Sequence, residues 1–210
     1  MVRYWVAGQG RAAQEEGTAV NDLVKDLKPE LTYTSFEQHM HKARTPQQRQ
    51  HLETVVHHSK GEVLADLDMV LPTLNDNPRY HEYGVFAGTT EDTGPKGLEA
   101  VLANYAEMVN NGSYVIESKK TRVVVSDNEI VTEGTYRQIL TAQVARKMGY
   151  VDDSSPQSSH YVLAGRTVVF WEFDEDGKAK GEDRYVMNHQ VIPISEDDLP
   201  ENYPAKFRTK

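Results

Sequence analysis

The hydrophobic pattern of this chain passes from mainly helical to strand-like spacing, and that change limits the fold more than any motif. From Thr45 to about residue 111, apolar residues recur mainly at helical spacing, with one strand among the helices. From Ser113 to Ile192 they fall into strand-like runs broken by polar turns. Helices followed by antiparallel strands make an α+β chain, with the helices packed on one face of a curved sheet.

Local signals sharpen this order. Thr45-Pro46 fits a helix start, with threonine as the cap and proline at the first helical position. Leu52, Val55, Val56, Val63, Leu67 and Val70 share a face at about 100° per residue. Gly61 and Asp66 divide the run into two helices, the second over 66–74 with Pro72 near its end. Asp66 reads as its cap, because a carboxylate accepts from the free amides there. The alternative is a buried base of raised pKa. A strand is predicted over 78–86, with His81, Tyr83 and Val85 on one face and Tyr80, Glu82 and Phe86 on the other. A loop at 88–94 leads to a helix over 95–110. Leu98, Val101, Leu102, Tyr105, Met108 and Val109 form its apolar side, and Asn110-Asn111-Gly112 stops it. Strands are predicted at 113–118, 121–125, 130–140, 162–173 and 183–192. Residues 1–45 read as an arm, 46–193 as one barrel domain, 141–160 as a lid or insertion, and 194–210 as a tail.

Composition excludes several functions. Lys plus Arg number 23 and Asp plus Glu 32, a net charge of −9 with no basic cluster. Nucleic-acid and anionic-membrane partners are therefore not expected. With no cysteine, disulfides, thiolate nucleophiles and cysteine metal sites are excluded. No apolar run reaches the ~18 residues of a membrane span. The N-terminus lacks the apolar core of a signal peptide, so the expected location is cytoplasmic. Gly8-x-Gly10 follows no clear strand and lacks the third glycine of a nucleotide loop. His58 and Glu62 are four apart, but the zinc-protease pattern is absent and both His57 and His58 fall off the apolar stripe. A solvated or interface face is expected there, with no metal and no cofactor.

Three segments carry a family resemblance. They are GEVLADLDMVLPTL followed by NPRYHEYG, then GLEAVLANYAEMV after a Gly-rich loop, then DEDGKAKGEDRYVMN. With the strand order, these make residues 45–193 resemble the nuclear transport factor 2-like superfamily, in particular its SnoaL-like (polyketide cyclase-like) branch. The resemblance implies a cone-shaped α+β barrel: a curved, mostly antiparallel sheet with helices on its concave side around a small-molecule pocket. Enzymes of that family mostly need no cofactor and move protons with pocket carboxylates, histidines, tyrosines and asparagines. Many carry a carboxylate in the last strand near the position of Tyr185 or Met187. Here that position holds no acid, and Asp183 or His189 would have to replace it.

On this basis Asp183, Tyr185, Met187 and His189 are expected to face inward, with Glu182, Arg184, Val186 and Asn188 on the other face. His81, His189, Asp183 and Tyr185 are the expected catalytic groups. Tyr83, Tyr105, Met108, Tyr136, Trp171, Met187 and Asn188 are the expected substrate contacts. The expected activity is a cofactor-independent acid–base enzyme: a lyase, dehydratase or isomerase, including retro-aldol C–C cleavage. Its substrate would be a small, partly apolar molecule of aromatic, steroidal or polyketide-like type. The alternatives are a non-catalytic binding protein of the same fold and a structural role in which the sheet serves oligomerisation. A homodimer or homotrimer is expected.

Overall fold

The computed structural model describes residues 24–208, except for the side chains of Asn188 and His189. Helix α1 spans Leu31–Glu37, α2 Pro46–Leu64, α3 Leu67–Val70, α4 Leu98–Asn111 and α5 Ala142–Lys147. Strand β1 spans His81–Tyr83, β2 Ile116–Val125, β3 Glu129–Thr141, β4 His160–Phe173 and β5 Ala179–Ile194. One sheet runs in the order β1-β5-β4-β3-β2. Its long strands pair antiparallel, and β1 adds to β5 in parallel. The register breaks between Lys120 and Arg122 in β2, and twice where β4 meets β5. Such bulges bend a strand and increase its twist, which curves the sheet. Beside the β2 bulge, a Cβ on Gly134 would sit 2.2 Å from the Lys119 carbonyl oxygen. Only glycine lets β3 pass so close.

The concave side takes the helices. Leu52 and Val55 of α2, Val70 of α3, and Val101 and Tyr105 of α4 pack on Val123, Ile130, Val169, Trp171 and Phe173 of the sheet. Helix α2 starts as its sequence predicts, with Thr45 accepting from the Gln48 amide at 3.1 Å and Pro46 in the first turn. It runs through Gly61 and stops at Ala65, whose φ of 55° is left-handed. Asp66 then accepts from the Met69 amide at 3.1 Å and caps α3.

Several boundaries differ from the sequence expectation. The two strands predicted at 113–118 and 121–125 form the single bulged β2. The strand predicted over 78–86 forms a ladder with β5 only from His81 to Tyr83; Arg79 makes an isolated bridge to Lys96, and Gly84 at φ 71° ends the strand against the Val186 carbonyl. The helix predicted over 66–74 closes as a 3₁₀ turn at Leu71–Thr73, where Pro72 offers no amide.

Parts of the three flanking spans pack into the domain. Phe36 of α1 is fully buried in the main core. Val24 and Leu27 share a second cluster with Ile139, Val162, Leu199 and Tyr203 of the sheet and tail. Val144 and Ala145 of α5 pack on Leu140 and Tyr161. Residues 1–23 of the expected arm lie outside the described residues. Among the described residues, no helix is long and apolar enough to cross a membrane.

The burial of Phe36 yields a test of where the folded unit begins. Phe36→Ala is expected to lower unfolding stability by about 3–5 kcal/mol in urea denaturation. A loss below about 1 kcal/mol would mean that α1 is not part of the cooperative core.

Candidate active site

The buried face of α2 is set by His51, Leu52, Val55, His58 and Ser59, with Glu62 one turn further on. These positions repeat at helical spacing. His58 is thus carried to the centre of the fold and is fully buried. The expectation of a solvated or interface face fails here, because Val56 and Val63 tilt the apparent stripe while both are only half-buried. His57 alone is exposed.

Hydrogen-bond accounting assigns the protons around His58. Thr73 donates its hydroxyl proton to the Val70 carbonyl at 2.5 Å, so its oxygen accepts from His58 Nδ1 at 2.7 Å. Tyr105 donates to Glu62 Oε1 at 2.9 Å, so its oxygen accepts from His58 Nε2 at 2.8 Å. Tyr80 then donates to Tyr105 at 2.9 Å. With both ring nitrogens donating, this arrangement favours the imidazolium form of His58. Burial opposes that charge, but the Glu62 and Glu182 carboxylates overcome it and raise the pKa. They lie 3.7 and 3.6 Å from Nε2. Trp171 closes the site with its ring edge-on to His58 at 5.2 Å.

The two carboxylates are pushed apart in acidity. Burial would raise Glu62, but His58, the Tyr105 hydroxyl and Arg184 hold it below its ordinary value. Glu182 comes from β5. Among the described residues no hydrogen bond reaches its carboxylate. Burial, then the charge of Glu62, pushes its pKa up to about 7, against the pull of His58, Arg184 and Lys120. A pair of carboxyl groups split in this way is a pattern that acid–base sites use.

Beyond this cluster the cavity has two adjoining lobes. The inner lobe, about 50 Å³, is bounded by Glu62, Tyr80, Tyr105, Lys120, Glu182 and Trp171, among others. The outer lobe, about 100 Å³, lies between Val85, Phe86, Val144 and Met148. Glu82, Asn104, Met108 and Arg184 border both. Arg184 pairs with Glu82 at 2.6 Å, neighbours across the β1–β5 register. Its Nε is buried without a partner among the described residues, as is the indole nitrogen of Trp171. Burial opposes the guanidinium charge, but Glu82 and the other facing groups hold it firmly protonated. Tyr80 and Tyr105 are pushed far above the ordinary phenol range by burial, so both remain donors.

The strand faces therefore differ from expectation. Glu82 on β1, and Glu182 and Arg184 on β5, turn inward. His81, Tyr83, Asp183, Tyr185 and Met187 turn outward. His81 pairs with Asp92 at 2.7 Å, and Tyr83 stacks on Tyr185 at 4.8 Å. Tyr185 is 40 % and Met187 42 % exposed. Side chains alternate with period two, so a one-residue choice of phase reverses the whole set. Glu182, Arg184 and Glu82 have the composition of a surface face, but here they compensate one another inside. Tyr105, Met108, Tyr136 and Trp171 do line the inner lobe. The side chains of Asn188 and His189 lie outside the described residues. Glu182 places a carboxylate on the cavity side of the last strand, three residues before Tyr185 and on the opposite face.

His58, Glu62 and Glu182 offer ligand atoms within 4.8 Å of one another. This donor set suits a divalent cation once Nε2 loses its proton, with Thr73 fixing the ring from the far side. Any such ion would share the chamber with the Arg184 and Lys120 cations.

No protein-family model matches the sequence, and no curated protein matches it. Solved structures do. A protein described as a candidate SnoaL-like polyketide cyclase from Jannaschia sp. CCS1 superposes with a TM-score of 0.51 at 16 % identity, over 69 % of this chain and 90 % of that one. A nuclear transport factor 2-like protein of unknown function from Burkholderia pseudomallei gives 0.48 at 17 % identity, over 66 % and 91 %. A candidate polyketide cyclase from Silicibacter sp. gives 0.46 at 16 %, over 65 % and 88 %. The chain thus has the cone-shaped nuclear transport factor 2-like fold of SnoaL-like proteins.

The raised pKa of Glu182 fixes a sign for stability against pH. Its folded pKa of about 7 exceeds the ordinary 4.5, so the folded state holds the proton more tightly. Stability from this group is fully present below the unfolded value and is lost as pH rises through about 7. Glu182→Gln removes that loss. Between pH 5 and pH 8 it is expected to gain about 1–3 kcal/mol relative to the parent, read from urea midpoints. An unchanged difference at the two pH values would contradict the assignment.

Proposed function

We propose that the protein is an acid–base enzyme of the lyase, dehydratase or isomerase type. Its substrate is a small, partly apolar molecule with a carbonyl beside the reacting carbon. The observation that supports this reading is Glu182, a buried carboxylate with no hydrogen bond among the described residues, poised near neutrality in a cavity wall. A base of that pKa is half ionised at working pH, which maximises proton transfer in both directions. Glu182 takes a proton from the carbon next to the carbonyl and returns it elsewhere on the product. Arg184, whose Nε–H has no other partner among the described residues, stabilises the oxygen that becomes negative.

His58 does not border the cavity and acts as a positioning residue. Its charge holds Glu62 ionised and fixes the Tyr105 hydroxyl, so of these two carboxyl groups Glu182 is the one that titrates near neutrality. Tyr105, Met108, Tyr136 and Trp171 supply the apolar and aromatic walls. All the proton-transfer steps use side chains, so none of them calls for a cofactor.

The reading is tested by hydrogen–deuterium exchange at the α-carbon of a panel of small aryl and cyclic ketones, followed by NMR. The chain is expected to accelerate exchange for at least one ketone, and Glu182→Gln is expected to lose about 10²–10⁴ of that rate. His58→Gln is expected to shift the pH profile of exchange to higher pH, since the imidazolium that pulls the Glu182 pKa down is lost; His81→Ala on the outer face is expected to change neither rate nor profile. Binding of ketones without exchange, or full exchange in Glu182→Gln, would overturn the assignment.

A further inference from the structure

Lys120 is a buried ionisable group that the proposed proton transfer leaves unused. It projects from the β2 bulge into the inner lobe and is only 8 % exposed. Its Nζ donates to Ser118 Oγ at 2.6 Å and lies over the Phe36 ring at 5.1 Å. Among the described residues no carboxylate comes within ion-pair distance. One hydroxyl and one ring face are weak compensation for a buried ammonium, which ordinarily requires a paired carboxylate. The neutral amine escapes that cost and keeps a lone pair free. Burial lowers the pKa to about 8, although Glu182 and Glu62 favour the charge. The groups facing the amine are Ser118 of β2, Phe36 of α1, Glu62 of α2, and Glu182 and Arg184 of β5.

We propose that Lys120 is a nucleophilic amine that captures an aldehyde or ketone in the inner lobe as an imine. The inference rests on the reading of Glu182 as the proton carrier of the same cavity. The amine lone pair attacks the carbonyl carbon. A C–N bond forms, the C=O π pair moves to oxygen, and the oxygen takes the proton that the nitrogen loses. Glu182 then protonates the hydroxyl, the C–O bond breaks and water leaves, giving the protonated imine. Water reverses the sequence, so no oxidant or reductant is needed. The protonated imine draws electrons from a neighbouring C–H or C–C bond. The substrate class therefore narrows to carbonyl compounds whose adjacent bond is to be broken, as in retro-aldol cleavage. Lysines desolvated in apolar pockets act in this way.

The test uses 2,4-pentanedione, a small 1,3-diketone whose imine with a neutral lysine rearranges to a stable, near-ultraviolet-absorbing enaminone. The unmodified protein is treated at pH 7.5 and mapped by peptide mass spectrometry. Lys120 is expected to be modified at least about tenfold faster than the exposed Lys147, and Lys120→Met is expected to lose the early absorbance. Modification confined to exposed lysines, with Lys120 spared, would overturn the proposal. The mapping needs no variant, so it remains decisive if Lys120→Met does not fold. If Lys120 is spared while Glu182→Gln still abolishes α-proton exchange, the imine falls and the acid–base reading stands. If Lys120 is labelled but exchange survives in Glu182→Gln, the amine stands and Glu182 loses its assigned role.

Discussion

The charged ring of His58, buried between two carboxylates, is the interaction on which the rest of the site depends. An isolated imidazolium at that depth is unfavourable. It persists because Thr73 and Tyr105 accept both ring protons, and because Glu62 and Glu182 stand near Nε2. The partners come from α2 itself, the 3₁₀ turn at Leu71–Thr73, α4 and β5, so their packing is tied together through one side chain. The helices and sheet are held by their apolar contacts, but their relative setting in the middle of the cone is a matter of proton accounting.

That accounting explains the unusual interior. Glu62, Glu82 and Glu182 face Arg184 and Lys120 in one chamber, with His58 behind its wall. The Arg184–Glu82 pair is complete, and Glu62 is satisfied by His58 and Tyr105. Glu182 and Lys120 are left over: one acid and one amine, each short of a close partner and each moved toward neutrality by burial. Within a low-dielectric cavity, groups left in this condition are where reactivity concentrates. The apolar walls from Trp171, Met108 and Tyr136 keep water from levelling the difference.

The sequence made the fold legible because periodicity reports architecture directly. The change from helical spacing to strand runs, the Thr45-Pro46 start and the Asp66 cap all appear in the structure, and the resemblance named the cone. Strand phase was not legible. With period two, His81 and Asp183 or Glu82 and Glu182 could equally face the core, and only burial decides. The polar residues seemed the natural outer set because surface charge is the commoner use of Glu and Arg. His58 was hidden by a similar effect: Val56 and Val63 pulled the apparent apolar stripe of α2 away from His51, Leu52, Val55 and His58. The i, i+4, i+7, i+11 spacing of His51, Val55, His58 and Glu62 was the available signal. Lys120 offered none, since its inward turn follows from the bulge and from Gly134 across the ladder.

The most direct measurement is an NMR titration of the Glu182 carboxyl carbon together with the His58 ring nitrogens. The account predicts that His58 carries both protons at neutral pH, and that Glu182 titrates near 7 while Glu62 remains ionised. A singly protonated, neutral His58 with Glu182 titrating in the ordinary carboxylate range would contradict it.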